Sequence, residues 1–154
     1  MTNASPLRTP HCADTRSRFI WAHSLLIYAW VFGATLILGL ATLAVSVFSR
    51  RGHMGHRVGQ VWGRSILAVS GIRVAVLGLE RLDPATAYVF MANHQSNYDI
   101  PVLLGCLPVQ FRWLAKAELF KIPLFGRAMR AAGYIRIDRT NRSSAFQSLG
   151  EAAG

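Results

Sequence analysis

A histidine and an aspartate stand five positions apart in the stretch Met91-Ala92-Asn93-His94-Gln95-Ser96-Asn97-Tyr98-Asp99. His94 follows an apolar run that has the composition of a buried strand, and Asp99 precedes an apolar run of helical character. Catalytic groups in open α/β sheets gather just beyond the carboxyl ends of strands. A turn between the two residues would bring the carboxylate to the imidazole, fix its tautomer and leave the other ring nitrogen as a general base.

The same spacing also has structural interpretations. Asp99 can cap the next helix, and His94 can be a turn residue that bonds to the backbone. A metal site is not indicated, because no cluster of cysteine and histidine has the spacing of metal ligands. We therefore expect no bound metal. The other histidines lie in the amino-terminal tail or beside an apolar segment, namely His11, His23, His53 and His56.

Short apolar runs separated by turn signals follow Gly71, which predicts an α/β domain. One helix is expected directly after Asp99, with Pro101 in its first turn, where a missing N–H is tolerated. Another is expected over 124–132, ended by Gly133. The predicted strands are 72–77, 88–92, 111–115 and 134–137.

Residues 24–48 contain no charged side chain. A helix of this length reaches about 37 Å, which exceeds the hydrocarbon core of about 30 Å, so a membrane segment is predicted. A cleaved signal peptide is less consistent with the sequence, because the apolar stretch is longer than usual and arginines follow it directly. The chain thus divides into a flexible basic tail (1–23), a membrane segment (24–48), an amphipathic interfacial helix (49–70) and a catalytic part (71–154).

Arginines flank the apolar segment on both sides and slightly favour the carboxyl side as the cytoplasmic one. A membrane localisation with the catalytic part on the cytoplasmic face is therefore predicted. Because the arginines on the two sides are nearly equal in number, the sequence also fits a segment that enters one leaflet and returns as a helical hairpin.

The net charge of +10 and the isoelectric point of about 11.0 require an anionic partner. The basic residues after the apolar segment are interleaved with apolar ones, which suits a lipid headgroup layer. No nucleic-acid signature is visible, so we expect anionic membrane lipids and no nucleic acid. With Cys12 and Cys106 as its two cysteines, the chain indicates a reducing compartment. Cys106 fits a buried apolar position better than an acyl-accepting nucleophile.

Several motifs in a fixed order resemble the 1-acylglycerol-3-phosphate acyltransferase family. The string Asn93-His94 to Asp99 matches the family's N-H-x4-D motif, and Gly133-Tyr134-Ile135-Arg136-Ile137-Asp138-Arg139 is similar to its second motif. The linking stretch Lys116-Ala117-Glu118-Leu119 and Ile122-Pro123-Leu124-Phe125-Gly126 is also similar to theirs. Arg136 departs from the family pattern, which more often has an apolar or aromatic residue there.

This resemblance implies acyl transfer from a coenzyme A or acyl-carrier-protein thioester to the free hydroxyl of a lysophospholipid, with no bound cofactor. His94 would take the proton of the acceptor hydroxyl, and Asp99 would support the resulting imidazolium. Arg139 would bind the acceptor's phosphate, with Lys116 and Asn93 as further substrate-binding candidates. The implied fold is an amino-terminal membrane helix or helical hairpin, followed by a mixed sheet flanked by helices.

The chain reaches Gly154 before the family's third motif, a Phe-Pro-Glu-Gly stretch. The resemblance therefore implies a partial acyltransferase domain, truncated at the carboxyl end. The favoured acceptor is 1-acylglycerol 3-phosphate, which would yield phosphatidic acid for phospholipid biosynthesis. Two alternatives remain open: an acyltransferase for another lyso-lipid, such as lyso-ornithine lipid, and a membrane-anchored non-enzyme of the same fold.

Overall fold

The computed structural model describes residues 12–48, 52–83, 85–138 and 150. Helices dominate it, and a small parallel sheet follows a long apolar amino-terminal helix, as the predicted fold class requires. In chain order the elements are α1 (Cys12–Ser46), α2 (His53–Val69), a 3-10 helix (Leu79–Arg81), α3 (Asp99–Cys106), β1 (Leu114–Lys116), a second 3-10 helix (Ala117–Lys121), α4 (Phe125–Ala131) and β2 (Ile135–Ile137).

Helix α1 is 35 residues long and begins at Cys12, inside the predicted tail 1–23. Residues 12–23 are therefore helical, and the first eleven residues lie outside the described part. Its segment Ser17–Ser46, with a mean hydropathy of 2.0, is long and apolar enough to cross a membrane by length and composition. Most of its large apolar side chains are exposed, among them Phe19, Trp21, Leu25, Phe32 and Ile37.

Helix α2 packs against α1, so the two helices form a hairpin. Trp30 Nε1 donates to Ser65 Oγ over 3.2 Å, and Trp62 Nε1 donates to Thr35 Oγ1 over 3.0 Å. α2 falls within the predicted interfacial helix 49–70, of which residues 49–51 lie outside the described part.

Strands β1 and β2 are parallel, with Leu114 opposite Ile135 and Lys116 opposite Ile137. Parallel neighbours need a long crossover connection, and here the second 3-10 helix and α4 provide it. These strands fall on or beside the predicted strands 111–115 and 134–137.

The predicted strands 72–77 and 88–92 are not strands in the described part of the chain. A strand exists only through hydrogen bonds to a neighbouring strand, and these two runs make no such backbone bonds to the described residues. Leu77, Val89 and Met91 are 93%, 87% and 93% exposed. The prediction was wrong here because an apolar run signals a buried strand only when a pairing strand is available to it.

An aromatic cluster joins α2 to the sheet and to the segment before His94. The buried His56 ring meets Phe111 edge-on at 4.9 Å between centroids, and Phe111 contacts Trp113 at 5.4 Å. Phe90 contacts the Phe111 ring at 6.2 Å. The segment that leads to His94 is therefore held beside the start of β1.

Candidate active site

The structure brings His94 and Asp99 together in a short turn at the start of α3. His94 Nδ1 lies 2.8 Å from Asp99 Oδ2. The turn is closed by the Asp99 N–H, which donates to the Ser96 carbonyl over 3.0 Å. The carboxylate of Asp99 can only accept when ionised, so it favours the tautomer of a neutral His94 ring in which Nδ1 carries the proton and Nε2 has the lone pair.

The Asp99 carboxylate also accepts the backbone N–H groups of Gln95 and Ser96, at 2.8 and 2.9 Å. The Ser96 N–H, then the His94 side chain, hold the pKa of Asp99 below its usual range. Asp99 is therefore ionised at neutral pH and can stabilise a positive imidazole.

Asp99 does not act as the cap of α3. It is the first residue of the helix, and Tyr98 occupies the cap position without a side-chain capping bond. The carboxylate instead turns back onto the preceding turn, so the same group shapes the turn and orients His94. The interpretation of Asp99 as a helix cap was therefore wrong.

The free nitrogen of His94 is accessible to a substrate. The side chain of His94 is 63% exposed and that of Asp99 is 29% exposed. Nε2 makes no hydrogen bond with the described residues. This arrangement suits a general base that removes a proton from an incoming hydroxyl.

Within the described part of the chain, Lys116 and Asn93 share no hydrogen bond or ion pair with the His94 and Asp99 side chains. Lys116 is the last residue of β1, and its Nζ lies 3.6 Å from Glu118 Oε1. Both side chains are more than half exposed. Asn93 is exposed next to His94. Arg139 lies outside the described residues. Among the residues that the structure describes, no group of three or more His, Cys, Asp or Glu could hold a metal ion.

Helix α2 packs closely against α3. An added Cβ at Gly63 would lie 2.7 Å from the Pro101 carbonyl oxygen, so the two helices approach as closely as glycine permits. Arg64 Nε donates to the Gly105 carbonyl over 2.9 Å, and Gln60 Nε2 donates to the Leu107 carbonyl over 3.3 Å. These bonds satisfy carbonyls at the carboxyl end of α3.

One contact beside the pair was not foreseen from the sequence. The Tyr98 hydroxyl and Ser70 Oγ share a hydrogen bond of 2.9 Å, which joins the turn to the cap residue that directly follows α2. Tyr98 stood within the motif as an unspecified position. Nothing in the local sequence marks Ser70 as its partner.

Comparison with known proteins gives a consistent family. Residues 73–153, more than half of the chain, match the family described as Acyltransferase. The chain is 34% identical over 119 residues to the 1-acyl-sn-glycerol-3-phosphate acyltransferase alpha of Homo sapiens, which covers 76% of this chain and 42% of the human protein. It is 33% identical over 99 residues to the 1-acyl-sn-glycerol-3-phosphate acyltransferase of Cocos nucifera, covering 64% of this chain and 32% of that protein.

A third relative, the 1-acyl-sn-glycerol-3-phosphate acyltransferase of Limnanthes douglasii, is 28% identical over 134 residues, or 87% of this chain and 45% of that protein. The chain thus spans less than half the length of each of these three relatives. No solved structure gives a significant match. On the match over residues 73–153, the chain belongs to the acyltransferase family.

Proposed function

We propose that this chain takes part in acyl transfer from a coenzyme A or acyl-carrier-protein thioester to the free hydroxyl of 1-acylglycerol 3-phosphate, giving phosphatidic acid. The observation that carries the proposal is the 2.8 Å contact between His94 and an ionised Asp99. The names of the three relatives support the choice of acceptor.

In the proposed reaction, His94 Nε2 removes the proton of the acceptor hydroxyl as the oxygen attacks the thioester carbonyl. Asp99 stabilises the imidazolium that forms, which lowers the free energy of the transition state. Collapse of the tetrahedral intermediate breaks the carbon–sulfur bond, and the imidazolium returns its proton to the leaving thiolate. The ester bond replaces the thioester bond, and no enzyme-bound acyl group is formed.

The acceptor's phosphate is proposed to bind beyond the carboxyl ends of the two strands. Lys116 closes β1 opposite Ile137 of β2, and the chain runs on from β2 towards Arg139. A guanidinium offers a phosphate two parallel hydrogen bonds, and an ammonium adds charge. Asn93 is proposed to contact the substrate from its position next to His94.

The protein is proposed to be bound to a membrane through α1, with the catalytic part on the cytoplasmic face. The large apolar side chains that α1 exposes would be unfavourable in water and are stabilised in lipid. The net charge of +10 favours an anionic lipid surface. A site at the membrane surface could bind a lysophospholipid acceptor without the acceptor leaving the lipid bilayer.

The proposal is tested with purified protein, lysophosphatidate and labelled acyl-CoA or acyl-carrier protein. The chain is assayed alone and joined to the carboxyl-terminal half of one of its relatives. His94→Ala should lower turnover by about 10² to 10⁴, the usual contribution of a positioned general base. His53→Ala is the matched control, because His53 is also exposed but lies at the start of α2. Near-normal turnover in His94→Ala would refute the assignment.

A second candidate acceptor is favoured by Arg136, which is exposed at the centre of β2 where the family more often has an apolar or aromatic residue. This departure from the family pattern is the reason to test a second headgroup. The same assay with lyso-ornithine lipid separates the two acceptors by their relative kcat/KM. If neither acceptor is acylated by either form of the protein, the non-enzyme alternative is favoured.

A further inference from the structure

The turn that carries the His94–Asp99 pair has little support of its own. Residues 91–97 are exposed, so packing does not hold the turn in place. Its internal hydrogen bonds are exposed to water, which competes for them and limits the rigidity that they give the turn. Asp99 accepts from Gln95 and Ser96, and the Tyr98 N–H donates to Ser96 Oγ over 3.2 Å. These bonds do not fix where the turn sits on the protein.

The Tyr98 side chain makes a hydrogen bond to a residue outside the turn. It is half-buried, in contrast to the seven residues before it, and its hydroxyl reaches Ser70 Oγ at 2.9 Å. Ser70 is the residue at the carboxyl end of α2, and its N–H donates to the Ile66 carbonyl over 2.9 Å. The hydroxyl of Tyr98 is thus bonded to a residue with a fixed backbone.

We propose that Tyr98 and Ser70 are a positioning pair, which holds the Asp99 carboxylate against His94 by fixing the turn on α2. Neither residue contacts the reacting atoms. The inference rests on the proposed function for the catalytic meaning of the His94–Asp99 pair, but the geometry it describes can be measured without turnover. Because α2 also bonds α1 through Trp62 and Thr35, the membrane-facing hairpin and the pair form one connected unit.

The test uses the 154-residue chain in phospholipid bicelles, labelled with ¹³C at the aspartate carboxyls and ¹⁵N in the histidine rings. Asp99→Asn and His94→Gln identify the two signals of interest. Tyr98→Phe, Ser70→Ala and the double variant remove the hydrogen bond but keep the bulk of each side chain. Tyr88→Phe is the matched control, because the Tyr88 hydroxyl is also in one hydrogen bond, which it accepts from the Asp83 N–H at 2.9 Å.

We expect Tyr98→Phe and Ser70→Ala each to move the pKa of Asp99 upward, towards the ordinary aspartate value of about 3.9. Loosening of the turn removes the Ser96 N–H and His94 from the carboxylate, and these are the groups that lower its pKa. The Nδ1–H signal of His94 should also exchange faster with water. The double variant should show the same pKa and exchange changes as each single variant, because either single change already breaks the Tyr98–Ser70 hydrogen bond.

The inference is overturned if Tyr98→Phe leaves both signals unchanged, or if Ser70→Ala fails to reproduce its effect. Equal changes in Tyr88→Phe would indicate a general loosening of the domain and would also overturn it. In the acyl-transfer assay, the two single variants should lower kcat about two- to fivefold with little change in KM, in line with the loss of one hydrogen bond. If His94→Ala kept turnover while the Asp99 signal still depended on Tyr98, the proposed function would fail and the positioning role would stand.

Discussion

Replacing Gly63 by alanine tests directly whether α2 sets the position of Asp99. An added Cβ would lie 2.7 Å from the Pro101 oxygen, 3.0 Å from the Gly105 nitrogen and 3.2 Å from the Leu104 Cβ. The first two neighbours are backbone atoms of α3, which cannot rotate away as a side-chain end could. To restore the 3.4 Å of ordinary contact, α3 must move by about 0.7 Å from α2.

The expected effect on stability combines two opposing contributions. Overpacking of a tight contact costs about 1 to 3 kcal/mol, and replacing a helical glycine by alanine recovers up to about 1 kcal/mol. We therefore expect Gly63→Ala to lower the free energy of unfolding by about 1 kcal/mol. Gly33→Ala in α1 is the control, because an added Cβ there meets nothing within 4 Å and no clash arises.

The effect on activity should exceed the effect on stability. Pro101 lies two residues after Asp99 in the first turn of α3, so a shift of the helix changes the 2.8 Å contact with His94. Misplacement of a reacting group by about 1 Å can lower turnover about 10²-fold. Denaturant unfolding in detergent and the acyl-transfer assay measure the two effects. A Gly63→Ala protein that unfolds like Gly33→Ala and keeps full turnover would refute the view that α2 positions α3.

Three further predictions concern charge and the membrane. The folded state lowers the pKa of Asp99, so the ionised carboxylate contributes its full stabilisation above about pH 4 and loses it as the pH falls below that value. The free energy of unfolding of Asp99→Asn should therefore depend less on pH below about pH 4. An unchanged pH dependence would contradict the hydrogen bonds assigned as the cause of the lowered pKa. Most of the protein should stay with membranes after washing at high salt, because burial of α1 is not screened; recovery in the soluble fraction would mean that attachment is electrostatic. Arg139→Ala should raise the KM for lysophosphatidate about tenfold or more, since a charged hydrogen bond contributes about 1.5 to 3 kcal/mol. Lys121→Ala is the control and should leave this KM unchanged. Equal KM values for the two variants would exclude Arg139 from the acceptor site.

The features that depend on local sequence were predicted well. The absence of charge over 24–48 was sufficient to locate a long apolar helix, although its start at Cys12 was missed because residues 12–23 combine polar composition with helical structure. The His94–Asp99 contact spans five positions, so one turn determines it. β1 and β2 were found because their β-branched and aromatic surroundings suit a pleated surface.

The features that depend on distant residues were not predicted. Tyr98 and Ser70 are 28 positions apart, and a hydroxyl pair leaves no pattern in the sequence. The runs 72–77 and 88–92 have strand composition, but composition does not say whether a partner strand lies beside them. Packing of Gly63 on α3 was also invisible, because a glycine in a helical pattern looks the same whether it faces solvent or a backbone.

Burial of His56 gives the interior of this protein an acid sensitivity separate from that of the site. The ring is fully buried, and neither nitrogen has a hydrogen bond of ordinary geometry within the described residues. Burial, then Arg112 and the nearby His53, lower the pKa of His56, and the facing Val109 carbonyl only partly opposes them. The folded state thus disfavours protonation of His56. The free energy of unfolding therefore decreases as the pH falls below the ordinary histidine pKa of about 6.5. In mildly acidic solution, hydrogen exchange should therefore rise first where α2 meets the sheet, while the Asp99 carboxylate is still ionised.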